Sequence, residues 1–189
     1  MVSINGVNGN SSHEYSMAFE ITPPTAVRPG TPFTLPVIVA IRSGSPGNGT
    51  EQLAANVSLK SESGATVTGL GGPLTSSVRS RNGNTTSGYA KFSPLTISQP
   101  GRYKLRVMLG AASQNGVVTK EFIDSGVITV DGGAPASQRP SMFYYSGIPF
   151  GLTLITNGIL AAAQVSKLRS LTAENIDITD VEIAAWQQA

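Results

Sequence analysis

The chain contains no cysteine and only one histidine and one tryptophan in 189 residues. Without cysteine there is no disulfide and no thiolate chemistry, a composition that suits a reducing compartment. The single histidine, His13, sits in the polar opening MVSINGVNGNSSHEYS and reads as a solvated tail residue, not as half of a Ser-His pair or a metal ligand. That opening also lacks the apolar centre of a secretory signal. Acidic residues are few and scattered, and no two are spaced as a carboxylate dyad would be. GLGG at 69–72 has neither the strand-to-helix setting nor the lysine of a phosphate-binding loop, and reads as a turn. These residues assemble no catalytic constellation, no metal site and no cofactor site, so a non-enzymatic protein is expected.

Charge is sparse as well, at 13% of residues with a formal net charge of +2. Its distribution is uneven. No acid lies between Glu62 and Glu121, whereas Arg79, Arg81, Lys91, Arg102, Lys104, Arg106 and Lys120 do. Residues 170–189 carry Glu174, Asp177, Asp180 and Glu182 and no lysine or arginine. A basic body and an acidic tail limit each other's reach for charged partners. The basic side chains read first as the water-facing side of strands. A grip on nucleic acid would need them to converge on one groove with aromatic side chains interleaved, and Tyr103 points the other way.

What is present in quantity is Gly (21) and Pro (12), together with Ser, Thr and Asn. They break the chain into short apolar stretches, giving candidate strands at 17–21, 33–41, 53–60, 73–79, 88–97, 102–109, 118–123 and 126–130. Strands of this length and spacing predict an all-β, antiparallel sandwich of the immunoglobulin type. RYKLRVML (102–109) alternates strictly, which predicts Tyr103, Leu105, Val107 and Leu109 in the core and Arg102, Lys104 and Arg106 in water. Pro36 inside FTLPVIVAI predicts an edge strand or a bulge there. The Asn-x-Ser/Thr sites at Asn10, Asn48, Asn56 and Asn84 read as products of composition.

The domain plan is a disordered leader (1–16), a β-sandwich (17–131), a linker and apolar insertion (132–164), and short C-terminal helices (165–189). MFYYSGIPFGLTLITNGILAAAQ (142–164) carries no charge. Gly147, Pro149, Gly151, Asn157 and Gly158 leave it no uninterrupted run of the roughly 20 residues that span a bilayer, so no membrane role is expected. It reads either as a hydrophobic segment packing on the sandwich or as a retained intron. In VSKLRSLTAENIDITDVEIAAWQQ, Val165, Leu168 and Leu171 share a helical face, and Thr179 or Asp180 caps a second helix.

LGGPLTSSVRSRNGNTTSGYAKFSPLTISQPGRYKLRVML (70–109) resembles the fungal velvet domain. The resemblance is carried in order by Leu74-Thr75-Ser76-Ser77, Gly88-Tyr89-Ala90-Lys91-Phe92, Leu95-Thr96-Ile97, Gly101 and Tyr103-Lys104-Leu105-Arg106-Val107. LPVIVAIR (35–42), SGVITV (125–130) and VSKLRSL (165–171) extend it. It implies a sandwich related to Rel-type DNA-binding domains, with homo- or heterodimers among velvet-type proteins and DNA as a further partner. It also implies a role in the nucleus, with a cytoplasmic pool, in fungal development, sporulation and secondary metabolism. The family's basic segment between its first two strands corresponds here to TAVRPGTP (25–32), whose one charge is Arg28. Arg28, with Arg42 at the end of LPVIVAIR, is therefore the candidate DNA-binding site. The competing reading is an immunoglobulin-like structural or adhesive module at the cell surface.

Overall fold

Among the described residues twelve strands follow one another: β1 (Tyr15–Ile21), β2 (Ala26–Val27), β3 (Val37–Ser43), β4 (Leu53–Ser61), β5 (Thr66–Val67), β6 (Leu70–Gly71), β7 (Thr75–Ser77), β8 (Gly88–Phe92), β9 (Thr96–Ile97), β10 (Gly101–Ser113), β11 (Gly116–Asp124) and β12 (Ile128–Val130). The computed structural model describes residues 14–44, 52–78, 87–113, 116–135, 138 and 169–170. Of the leader expected over 1–16, residues 1–13 lie outside the described residues, as do the apolar stretch 142–164 and the rest of the expected C-terminal helices; Tyr15 and Ser16 are not leader but the start of β1, with Tyr15 buried. Arg169 and Ser170, inside the range expected to be helical, are helical. Among the described residues no helix is long and apolar enough to cross a membrane.

The smaller sheet has the order β1-β3-β8, all antiparallel. The larger runs β2-β12-β10-β4-β5, with β11 also on β10 and β7 also on β4. Their inner faces meet in one core, to which the smaller sheet gives Val37, Val39, Ile41, Ala90 and Phe92. The larger gives Val57, Leu59, Leu105, Val107, Leu109 and Ile128. This is an immunoglobulin-like sandwich: of the six described strands of five or more residues, the first, second and fourth (β1, β3, β8) form one sheet, and the third and the last two (β4, β10, β11) belong to the other. A further short sheet, β6-β9, closes one end.

The alternation in RYKLRVML sets its orientation. Leu105, Val107 and Leu109 are fully buried, each worth about 1.5–3 kcal/mol of transfer free energy. Tyr103 is half-buried against the core, and its hydroxyl donates to the carbonyl of Pro100 at 3.0 Å. A tyrosine at the start of this strand, bonded back to the turn before it, is a feature of immunoglobulin domains, where a disulfide cysteine follows two residues later. Here Leu105 fills that position. A Cβ on Gly101, at φ +151°, would lie 2.7 Å from the Tyr103 hydroxyl, so the Pro-Gly turn is built around the ring.

Along its other edge β10 meets β12 and β11 in succession, Tyr103 opposite Ile128 and Arg106 opposite Asp124. Between those pairs β10 has two residues and its partner three, so β11 and β12 are one strand broken by a bulge. Ser125 repairs the break. Its N–H donates to the Leu105 carbonyl at 2.8 Å, and its Oγ accepts the Leu105 N–H at 2.9 Å. That accounts for one of the two buried polar residues among the described ones. The other, Gln138, accepts from the Thr34 N–H at 2.9 Å and donates to the Pro32 carbonyl at 2.6 Å. The fold therefore holds the chain as far as residue 138, with Ala134 also buried.

The expectation for Pro36 needs correction. Pro36 immediately precedes β3, which is the central strand of its sheet, so the missing N–H falls outside the ladder. The irregularity sits across from it, in β1 between Phe19 and Ile21.

Candidate functional site

The outward side of the larger sheet is organised as cross-strand rows, because directly opposed residues share a face. One row runs Phe122, Met108, Asn56, Thr75 across four strands. The next is Asp124, Arg106, Ser58, followed by Lys104, Lys60, Thr66. Asn56, the one Asn-x-Ser/Thr site among the described residues, lies in the first row and donates to the Thr75 hydroxyl at 3.1 Å. The basic side chains of β10 thus lie on one surface, as the alternation requires.

Most of that charge is matched locally. Arg106 grips Asp124 with two bonds of 2.7 Å, and its guanidinium lies 4.2 Å from the centre of the Phe122 ring. The bond from Arg106 is the main reason that the Asp124 carboxyl is held below its ordinary value; partial burial opposes it, and the charges of Arg106, Lys104 and Lys60 assist it. Arg106 is shifted up by the same bond. Arg102 pairs with Glu62 at 2.9 Å. Lys120 reaches Glu14 at 3.2 Å and stands 6.0 Å over the Tyr15 ring. Glu62 at one border of the acid-free run and Asp124 just beyond the other fold back onto it.

The edge strand β11 displays apolar surface on both of its sides, Val117 and Phe122 on this face and Val118 on the side of Ala111. Val117, Val118 and Phe122 are 75%, 52% and 50% exposed, all on β11, whose ladder partner is β10. Sequence reasoning placed a strand here but did not single these residues out. The signal was adjacency: in Phe122-Ile123 the pleat forces one of the pair outward, and in Val117-Val118 it sends the two to opposite sides, so exposure of both marks an edge open on each side. Ile123 takes the core side, and Phe122 is left to stack under Arg106.

Arg28 and Arg42 are not brought together. Arg28 follows β2 at the margin of the larger sheet, and its Nε donates to the Ala134 carbonyl at 2.8 Å, fastening the turn after β12. Arg42 is exposed near the end of β3 in the other sheet, opposite Ser16. His13 lies outside the described residues. Among the described residues no three of His, Cys, Asp and Glu gather as metal ligands. A cleft lined by Thr22, Pro24, Leu35 and Gln138 has about 10 Å³ of room, enough for one water molecule.

No protein-family model matches the sequence, and no curated protein matches it. Among solved structures the chain is similar to the CARDB domain of a Pyrococcus furiosus protein, itself in complex with di-metal ions. The two share 17% sequence identity and a TM-score of 0.36, over 62% of this chain and 89% of that one. A likeness that distant adds nothing to the fold class, which rests on strand order and packing.

Proposed function

We propose that the chain is a non-catalytic, immunoglobulin-like module that binds a protein partner through the β11 edge of its larger sheet. The observation behind this reading is the set Val117, Val118 and Phe122, three large apolar side chains at least half exposed on one edge strand. Grouped apolar side chains at a sheet edge are a costly thing to leave in water and a usual feature of contact surfaces. Three carboxylates of this sheet and its borders are engaged with cations: Glu14 with Lys120, Glu62 with Arg102 and Asp124 with Arg106. Such carboxylates hold a surface in place and are poorly suited to proton transfer.

The test is affinity capture from the cells that make the protein, with the wild-type chain and a Val117→Ser/Val118→Ser/Phe122→Ser variant as baits. A protein retained by the wild type and lost by the variant supports the reading. Equal capture by both contradicts it.

A second, finer reading makes the module a velvet-type regulator that dimerises and works in the nucleus. What favours it is order: the motifs carrying the resemblance fall in sequence on or beside β7, β8, β9 and β10. The surface-module alternative separates from it by location. A tagged protein found in the nucleus supports the regulator, and one found only at the cell wall or in the medium contradicts it. For DNA, a mobility-shift series in rising salt should show binding weakened by Arg42→Ala. Arg28 is the poorer probe, because its loss also releases Ala134.

A further inference from the structure

The bonds of β10 fix which backbone groups of β11 turn to the outside. Leu105 bonds through both of its backbone groups to Ser125, on the side of β11 and β12. The Ala112 N–H donates instead to the Gln52 carbonyl at 3.0 Å, on the side of β4. These directions alternate along a strand, so odd-numbered residues of β10 bond towards β11 and even-numbered ones towards β4. On β11 the partners of the odd residues, Val118, Glu121 and Ile123, therefore turn their backbone groups into the ladder. The partners of the even ones, Val117, Thr119, Phe122 and Asp124, turn theirs to the edge. Lys120 is the extra residue of a bulge between Thr119 and Glu121. The Phe122 N–H bears this out: it donates to the Glu121 carboxylate at 2.9 Å and not to a strand. Among the described residues β10 is the one strand with which β11 pairs.

This edge is its own complement. An antiparallel copy of β11 can be laid with its Asp124 opposite Val117, which brings its Phe122 opposite Thr119. Every edge-turned residue then meets an edge-turned residue, as the hydrogen-bonded pairs of an antiparallel ladder require. The two bulges face each other, Lys120 against Glu121 of the second copy and Glu121 against its Lys120, so opposite signs meet twice. Sliding the copy by two residues either way sets Thr119 against the bulge or Phe122 against a ladder-turned residue, and the match is lost. On the outer face the two Phe122 rings become neighbours, with Val117 of each copy diagonal to the ring of the other. Side chains at least half exposed in the single chain thereby cover one another. The operation is a two-fold axis normal to the sheet, so both copies make the same contacts and the assembly closes at two.

We propose that β11 pairs antiparallel with β11 of a second copy of this chain in that register, joining two larger sheets into one. The proposal rests on the reading of β11 as a contact edge and names the chain itself as the partner. On pairing, the Phe122 N–H passes from the Glu121 carboxylate to the Thr119 carbonyl of the second copy. The carboxylate is left to face Lys120 across the two-fold axis.

Sedimentation equilibrium of the full-length chain over a concentration series tests it. The wild type is expected to pass from monomer to dimer. Lys120→Glu sets an acid opposite Glu121, and Glu121→Lys sets a base opposite Lys120, so each variant alone should dimerise at least about tenfold more weakly. An equal mixture of the two variants restores opposite signs at both contacts and should recover dimers, each with one chain of either kind. That recovery requires residues 120 and 121 to face each other across the interface. A wild type that stays monomeric up to millimolar concentration overturns the proposal, whatever the variants do. So does a dimer that both variants leave unchanged, or a mixture no stronger than its components. Either failure is distinct from failure of the edge reading, which the capture experiment scores against proteins other than this chain.

Discussion

Outward from β10 point Arg102, Lys104, Arg106 and Met108; outward from β3 point Ile38, Ala40 and Arg42. Both strands cross the middle of a sheet in the same sandwich and follow the same pleat. On β10 a charge at every second position holds one side in water, so Leu105, Val107 and Leu109 alone are fully buried. On β3 no charge interrupts residues 37–41, and both sides are buried. Solvent contact is thus decided by the alternate positions, while the core-facing positions look alike in the two strands. The uncharged outward positions Ile38 and Ala40 are buried, whereas the charged ones on β10 meet counter-ions, which Glu62 and Asp124 supply.

The comparison can be broken from either side. The largest effect belongs to the shared core: Leu105→Ala should cost about 2–5 kcal/mol in a denaturant titration, because a fully buried leucine leaves a cavity. A loss under about 1 kcal/mol would mean that β10 does not anchor the core. Next comes the turn that launches β10. Gly101→Ala strains the backbone and collides with Tyr103, for about 1–3 kcal/mol. Tyr103→Phe removes only the bond to Pro100, for about 0.5–1.5 kcal/mol. The reverse order would place the stabilisation in the hydroxyl and not in the packing of the ring.

Smaller still is the ion pair. Pairing lowers the pKa of Asp124 in the folded chain, so its contribution is complete above the ordinary value of 3.8 and is lost as pH falls through the lowered one. Wild type and Asp124→Asn should therefore differ in stability at pH 6 and converge on acidification below that window, with the gap at pH 6 narrowed by salt. A gap that persists at pH 2 would assign the loss to packing. Least of all, the Val117→Ser/Val118→Ser/Phe122→Ser chain should stay within about 0.5 kcal/mol per site, since exposed positions contribute little to folding.

Much of the sandwich was legible because turn residues punctuate it. The stretches expected at 53–60 and 102–109 became β4 and a longer β10, and 88–97 became β8 and β9 separated at Pro94. The short strands β2, β5 and β6 were missed, since two residues carry no period. Pro36 misled because a proline one residue before a central strand looks, in sequence, like one inside an edge strand. The face of β10 was legible from alternation alone. The role of β11 was not, because exposure of Val117 and Phe122 depends on which strand ends the sheet. Nor were the bonds of Arg28 to Ala134 and of Gln138 to Thr34, which join residues far apart in the chain. The uninterrupted apolar run of β3 did contain its message, a strand covered on both sides, but Pro36 drew the reading elsewhere.

The central claim is that the two outer faces differ in kind, and Ile38→Ala tests it most directly in the full-length chain beside Met108→Ala. Both side chains point away from the core between the sheets, from the central strand of one and the corresponding strand of the other. A covered face predicts that Ile38→Ala costs about 2–5 kcal/mol of unfolding free energy, as a core position does, and Met108→Ala less than about 1. If Ile38→Ala proves as mild as Met108→Ala, the smaller sheet has no cover and the contrast between the faces fails.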